Sequence, residues 1–520
     1  MKNDRFIKNS IFVMILIILG KVLALIRDSL IAAKFGATYV TDIYNFSLGV
    51  VYLLTTISYG LTTTFIPVHA EYMEKNEKSK NLSFVNNVIN VTSLATMFLT
   101  IVLIIFSKAI IDVFAPGFKN DVNAYNNSIL ILRIMLSSLL FISLQSVITG
   151  VLQVHKEFFE PAAMAAVSNV VYIIYLIYLT KKYGIIGFAV ATVLAFLMQL
   201  LINIPKYKKL GYKYKPVFNL KDKEMKSIFT LMIPVILSTS LIQLNMFINR
   251  SFATNIFFGA VTVLDFANKI NTLAYEVFAI GIAMIIYPTL SYHAVKGERD
   301  EYKSSLNKGI NTILLIMVPA AFGIALLRLP LVTVIFKRGA FGLDSALLTS
   351  SALLFYTPAM IAYGVRDILN KAFYSIKDTK TPMINSFIGI ILNIIINIIL
   401  VKKMGVPGLT LATTISAIIT TLLMFRSINI KLGGIKLTNT IKTFTKIVIS
   451  SSVMAVFIFF INNYCSLWFG VDMKGSIISI LTSFVIGVLV YLISIYMLKV
   501  EEFEWLLKSI IRKFKKEGAF

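Results

Sequence analysis

The sequence is poor in charge and poorer still in acid. Only 14% of its 520 residues are charged, and 25 Asp and Glu stand against 50 Lys and Arg, a formal net charge of +25. A soluble domain cannot hide a chain that is 57% hydrophobic with a mean hydropathy of +0.82, so the scarcity of charge excludes a water-soluble fold. One cysteine, Cys465, excludes an intrachain disulfide and reads as an inert thiol at a membrane edge or apolar loop. The three histidines, His69, His155 and His293, lie far apart in sequence near predicted inner membrane edges and offer no metal spacing. No Gly-Lys-Ser/Thr phosphate loop is present. No catalytic set, metal site or cofactor is expected.

What remains is long apolar runs. A membrane span needs roughly 20 apolar residues. Fourteen segments qualify: about 11–33, 39–66, 84–113, 127–153, 161–180, 184–204, 228–257, 262–290, 308–329, 346–372, 382–401, 405–425, 443–463 and 475–498. The first follows Met1-Lys2-Asn3-Asp4-Arg5 without a small-residue cleavage site, and is read as a span rather than a removable signal. The expected fold is an all-α polytopic membrane protein with about 14 transmembrane helices.

The chain also repeats itself. Pro161 leads to Lys181-Lys182-x-Gly184-x-x-Gly187-x-x-x-Ala191-Thr192, and 221 residues on Pro382 leads to Lys402-Lys403-x-Gly405-x-x-Gly408-x-x-x-Ala412-Thr413. Offsets of 221 to 223 also carry Pro67 to Pro288, Gly117 to Gly339, Phe35-Gly36-Ala37 to Phe258-Gly259-Ala260, Arg27 to Arg250 and Asp42 to Asp265. Six spans per copy is an even number, so both copies enter the membrane from one side as parallel lobes. The expected organisation is an N-lobe over 1–210, a basic cytoplasmic linker over 211–227 and a C-lobe over 228–430. Two extra helices follow over 431–498, a candidate lipid-tail groove, and then a basic amphipathic cytoplasmic tail over 499–520.

Basic residues set the expected orientation. Lys206 to Lys226 in the linker, Lys296, Arg299 and Lys303 after span 8, Arg426 to Lys442 after span 12, and Arg512 to Lys516 all fall on one side. The positive-inside rule then places both termini in the cytoplasm. The same charges suit anionic phospholipids and not nucleic acid, since no basic or aromatic RNA-binding module stands outside the membrane.

Ionisable residues inside spans are costly and mark a cavity or a partner. Lys21, Arg27 and Asp28 lie on span 1, Asp42 on span 2, Arg250 on span 7, and Asp265, Lys269 and Glu276 on span 8. Lys21, Arg27, Arg250 and Lys269 are the candidate substrate-binding residues, and Asp28, Asp42 and Asp265 the candidate gating or ion-coupling residues. Asp265 and Lys269 also have the spacing of a structural helical ion pair. As a set, the cations suit an anionic headgroup such as phosphate or pyrophosphate, because Arg binds its oxygens in pairs and Lys as a point charge. Gly20, Gly49, Gly60 and Gly281 are candidate hinges, or else close-packing positions. With no ATPase in the sequence, transport would draw on a Na+ or H+ gradient, the membrane potential or the substrate's own gradient.

The run Arg27-Asp28-Ser29-Leu30-Ile31-Ala32-x-x-Phe35-Gly36-Ala37-x-x-x-Thr41-Asp42 resembles the opening of the MurJ (MviN) lipid II flippases. Further matching motifs are Phe65-Ile66-Pro67-Val68, Ala115-Pro116-Gly117-Phe118, Phe336-Lys337-Arg338-Gly339-Ala340-Phe341 and Lys377-Asp378-Thr379-Lys380-Thr381-Pro382. The resemblance implies the multidrug/oligosaccharidyl-lipid/polysaccharide exporter fold in a bacterial plasma membrane. It implies flipping of an undecaprenyl-pyrophosphate-linked peptidoglycan precursor, with cell-wall synthesis proteins as candidate partners. Arg27 and Asp42 match the family's cavity residues, while Lys21 and Lys269 stand where arginines are usual. Leu54-Thr55-Thr56-Ile57-Ser58-Tyr59-Gly60 carries no charge where the family usually has an Arg-Arg pair followed by an acidic residue. Two alternatives therefore stand beside lipid II: another polyprenyl-linked surface-polysaccharide unit, and the substrates of a cation-coupled multidrug exporter.

Overall fold

The computed structural model describes residues 2–74, 78–435 and 437–504. Among these every regular element is helical. The chain forms two compact units, one of residues 1–262 with 338–342 and one of residues 263–337 with 343–520. The first holds α1 (Lys2–Phe35), α2 (Tyr39–Glu74), α3 (Lys78–Ile105), α4 (Ser107–Phe114), α5 (Val122–Leu136), α6 (Ser138–Val154), α7 (Phe159–Ile174), α8 (Thr180–Lys209) and α9 (Lys223–Ala253). The second holds all but the first three residues of α10 (Ala260–Lys296), then α11 (Arg299–Leu326), α12 (Arg328–Ile335), α13 (Leu343–Ser375), α14 (Lys380–Met404), α15 (Val406–Lys431), α16 (Leu437–Phe469) and α17 (Met473–Met497). Most of the tail, with Trp505, Leu506, Ile510 and Phe514, lies outside the described residues.

Ten helices are long and apolar enough to cross a membrane, or twelve if each of two bent pairs is one span, against the fourteen expected. Part of the difference has a physical origin. Residues 159–209 count once, although 51 residues at 1.5 Å each would reach about 76 Å, more than twice the hydrocarbon thickness. That length is broken at Gly184, whose φ of 55° and ψ of −145° lie outside the helical region. Gly405, its partner in the repeat, has φ 62° and ψ −134° and separates α14 from α15. Only glycine adopts this conformation without strain, which explains the recurring motif. The second glycine of each motif permits close approach. A Cβ on Gly187 would lie 2.2 Å from the Tyr175 hydroxyl, and one on Gly408 2.7 Å from the Leu400 carbonyl. Each motif thus folds two helices back on each other with no loop between them. Asn385 meets Ser427, and Asn393 meets Thr413, across the α14–α15 pair.

The first unit packs around Phe65, Phe84, Val88, Val147 and Val151, and the second around Leu306, Ile310, Met317, Phe373 and Met424. α16 and α17 pack against each other, and the Tyr491 hydroxyl donates to the Leu315 carbonyl of α11 at 2.7 Å. Cys465 is buried between this pair beside Thr482, 3.5 Å away, rather than sitting in a loop. Phe98, Phe460, Trp468 and Phe484 stand exposed, as surface facing lipid does and surface facing water cannot.

Candidate substrate and coupling site

In the first unit, Arg27 and Asp28 form an ion pair. Nε and Nη2 of Arg27 both donate to Asp28 Oδ1, at 3.0 and 2.9 Å. The guanidinium also lies 5.3 Å from the Tyr172 ring centre of α7, because α1 packs along α7. An aromatic face and a carboxylate offset part of the cost of holding a cation here. Tyr44 lies in the same layer, its hydroxyl 3.1 Å from Thr192 Oγ1. Lys21 is half-buried six residues earlier on α1.

Asp42 is fully buried and its carboxylate caps the start of α10. It accepts from Gly259 N at 2.6 Å, Thr262 N at 2.8 Å and Thr262 Oγ1 at 2.7 Å. A carboxylate is well placed there, where backbone N–H groups lack helical partners and the helix dipole is positive. The expected gating residue is thus a helix cap that joins α2 to residues 259–262 of the other sequence copy.

Around this cap the glycines related by the repeat close a seam. A Cβ on Gly259 would meet the Ala37 carbonyl at 2.4 Å, and one on Gly36 the Ala340 carbonyl at 2.5 Å. One on Gly339 would meet Ala33 O at 2.3 Å, and one on Gly117 Thr254 O at 1.8 Å. Ala340 N donates to Ala33 O at 2.9 Å. The contacts of Gly117 with Thr254 and of Gly339 with Ala33 are related by the repeat. Arg250, 7% exposed, lies over Gly49 of α2.

In the second unit, Asp265 is buried, and Lys269 Nζ sits 5.1 Å from the Phe266 ring centre. The sequence reading passed over a larger polar group in this unit. The Tyr275 hydroxyl of α10 donates to Asp367 of α13, the Arg366 guanidinium lies 4.8 Å from the Tyr363 ring centre, and Lys371 Nζ lies 5.3 Å from that of Tyr287. The signal was available, because Arg366-Asp367 repeats the Arg-Asp pair of span 1 inside an apolar run.

Two histidines written off as distant also meet. The His69 and His155 ring centres are 6.0 Å apart, and the Tyr212 hydroxyl lies 3.0 Å from His69 Nε2. Burial pushes the Tyr212 hydroxyl up to about 12, so it stays protonated at neutral pH. Of the four hinge candidates, three are packed: Gly20 against Ala165, Gly49 against Arg250 and Gly60 against Ile236. Gly281 has open space around it and follows a 48° bend in α10.

Residues 31–480 match the family model described as "Lipid II flippase MurJ". The chain is 28% identical over 469 residues to a probable lipid II flippase MurJ of Buchnera aphidicola, covering 89% of this chain and 91% of that one. It is 28% identical over 493 residues to the lipid II flippase MurJ of Thermosipho africanus, covering 93% and 95%. Among solved structures, "Lipid II flippase MurJ, inward closed conformation" superposes with a TM-score of 0.79 at 27% identity, covering 93% of this chain and 98% of that one. An inward-facing MATE transporter shares the fold, with a TM-score of 0.67 at 16% identity over 80% and 96%.

Proposed function

The chain belongs to the lipid II flippase MurJ family, and from that premise we propose that it carries lipid II from the inner to the outer leaflet of the bacterial plasma membrane by alternating access. The observation that carries the mechanism is the Asp42 cap on Gly259 and Thr262 within the glycine seam. The positive-inside assignment puts this seam at the outer face. Closed, it shuts the path to the outer leaflet. Opening it breaks the hydrogen bonds at Asp42 and parts close backbone contacts together with the Tyr39–Phe258 and Phe114–Phe247 ring contacts. Arg27, Lys21, Arg250 and Lys269 hold the pyrophosphate, and Asp28 keeps Arg27 oriented until the substrate's oxygens compete for it. Asp265 is assigned to coupling, driven by the membrane potential or a Na+ or H+ gradient.

Arg27→Ala tests the cationic path: in cells depleted of their own lipid II flippase, the wild-type chain restores growth and this variant does not. Equal rescue by both would sink the assignment of Arg27.

A second reading, transport of another polyprenyl-linked glycan, has one observation in its favour. The uncharged Leu54–Gly60 stretch packs on α9, with Thr56 Oγ1 3.0 Å from Ser240 Oγ and Gly60 against Ile236, and so presents no cation where the family usually has two. Failure of the well-inserted wild-type chain to restore growth would favour that reading.

A further inference from the structure

A cavity of about 260 Å³ lies in the second unit where α11 gives way to α12 and α16 turns into α17. Its lining carries the donors Arg328, Asn462, Asn463, Ser476 and Thr333, while Ser466 Oγ donates to the Asn462 carbonyl at 2.7 Å. None of its lining residues is acidic. Arg328 spends Nη1 on the Ala325 carbonyl at 2.8 Å, which steers the guanidinium without neutralising it. Ser479 Oγ donates to Asn462 Oδ1 at 2.7 Å, which occupies the amide oxygen and leaves its NH2 group to donate. Ser476 and Thr333 are 4% and 2% exposed and line the cavity. Hydroxyls lining a cavity can donate to a polar ligand held there. Lys337 Nζ reaches the carbonyl of Val471, itself a lining residue, at 3.5 Å and adds a second cation at the rim. The nearby Asp472 carboxylate is turned onto Gly475 N at 2.9 Å as the cap of α17.

Size and surroundings narrow the ligand. The volume falls just below the roughly 300 Å³ at which drug-sized pockets begin, so the cavity takes one small headgroup and not a disaccharide with its peptide. Phe459 lines the cavity and is half exposed, and Phe460, Leu467 and Trp468 continue an exposed apolar face along α16. A head in the cavity would therefore have its tail against α16.

We propose that this cavity binds the phosphate of an amphiphile, held by Arg328 and the amide and hydroxyl donors, with its hydrocarbon on the outer face of α16. The site stands on its own residues and does not depend on the transport reading.

Trp468 provides the probe. Replacing Trp505, the other tryptophan, with Phe leaves Trp468 as the reporter in the full-length protein, purified in a phosphate-free maltoside detergent. Brominated phosphatidic acid is expected to quench its emission saturably, and brominated diacylglycerol to do so at least about ten-fold more weakly. Arg328→Gln should weaken phosphatidic acid about ten-fold, and the near-isosteric Thr333→Val several-fold while leaving the fold intact. Equal quenching by the two lipids, or curves that neither substitution moves, would overturn the proposal. So would displacement by inorganic phosphate at the concentration at which lipid phosphates act, because the tail would then contribute nothing. Stronger displacement by undecaprenyl phosphate than by phosphatidylglycerol assigns the site to polyprenyl lipids, and the reverse order to bulk phospholipid; either supports a lipid-phosphate site.

Discussion

The two ends of the first unit are held by opposite means. At the seam, Gly36, Gly117, Gly259 and Gly339 bring backbone against backbone, Asp42 accepts three hydrogen bonds across it, and Asn45 and Ser251 add one each. At the linker end, α3 holds residues 213–219 with a ladder of asparagines. Asn86 donates to Lys213 O at 3.0 Å and accepts from Lys215 N at 3.0 Å. Asn87 does the same with Asn219, at 2.9 and 2.7 Å, and Asn90 donates to Lys215 O and Val217 O at 3.2 and 2.9 Å. Bidentate amides imitate a β-ladder and tie the extended chain down along its length. A seam closed mainly by backbone contact and a few side-chain bonds can part and close again, whereas a strap of paired amides releases only at the cost of many bonds. The difference separates a gate from an anchor.

Substitutions that add bulk at the seam should have the largest effect. Gly117→Val puts a side chain where Thr254 O already lies 1.8 Å from a built Cβ, so the seam cannot close. Transport is expected to fall to about a hundredth or less, with membrane insertion retained. Near-normal growth rescue by this variant would show that closure is not needed.

Asp42→Asn is next. One oxygen becomes an NH2 that faces the α10 amides, so at least one of the three bonds is lost and a like dipole replaces it. A charge-assisted bond contributes about 1.5–3 kcal/mol, which predicts a fall of ten-fold or more in flipping rate. A rate within two-fold of wild type would turn the cap into a purely structural feature.

The strap should respond in the reverse sense. Asn90→Ala loses two donated bonds and the acceptor for Tyr214, at a cost of about 1–2 kcal/mol. A thermal melt should shift by a few degrees while flipping stays within about three-fold. A transport defect as deep as that of Gly117→Val would erase the distinction between the two ends.

Asp378 supplies the smallest effect and a control for Asp42, since it caps α14 in the second unit. It accepts from Lys380 N and Thr381 N at 3.1 and 3.0 Å and binds Lys431. Partial burial works to raise its pKa, but the bonds from Lys431 and Thr381 outweigh it and hold the carboxyl at about 2. A depressed carboxyl contributes stability above its unfolded pKa and loses it as pH falls through the folded one. Wild type should therefore exceed Asp378→Asn by about 1 kcal/mol at pH 7, and the gap should close as pH drops from 4 toward 2. An equal gap at both ends of that range would mean the charge contributes nothing. Flipping at pH 7 should be unchanged.

The membrane class, the helical fold and the family were all legible in the sequence, because apolar runs, recurring glycines and motifs are local signals. The conformation at Gly184 and Gly405 was implicit in the motif that repeats them. The role of Asp42 was not, since its partners lie 217 to 220 residues away and are mostly backbone amides that no side-chain pattern announces. His69 and His155 escaped for the same reason: 86 residues separate them, and only the packing of α2 with α6 brings the rings together. The linker's basic, Gly- and Pro-containing composition resembles a free loop, while the residues that order it are written on α3. Arg366 and Asp367 were missed although their pattern was visible, because the repeat drew attention to positions that have counterparts.

The glycine breaks at Gly184 and Gly405 bear on how the machine can move. With no loop at either break, neither the arms on the two sides of Gly184 nor α14 and α15 have slack, and each pair also shares a packed face. Each behaves as one welded strut. Any cycle of motion must then be assembled from fewer independent parts than the helix count suggests, and its freedom concentrated where struts meet rather than within them.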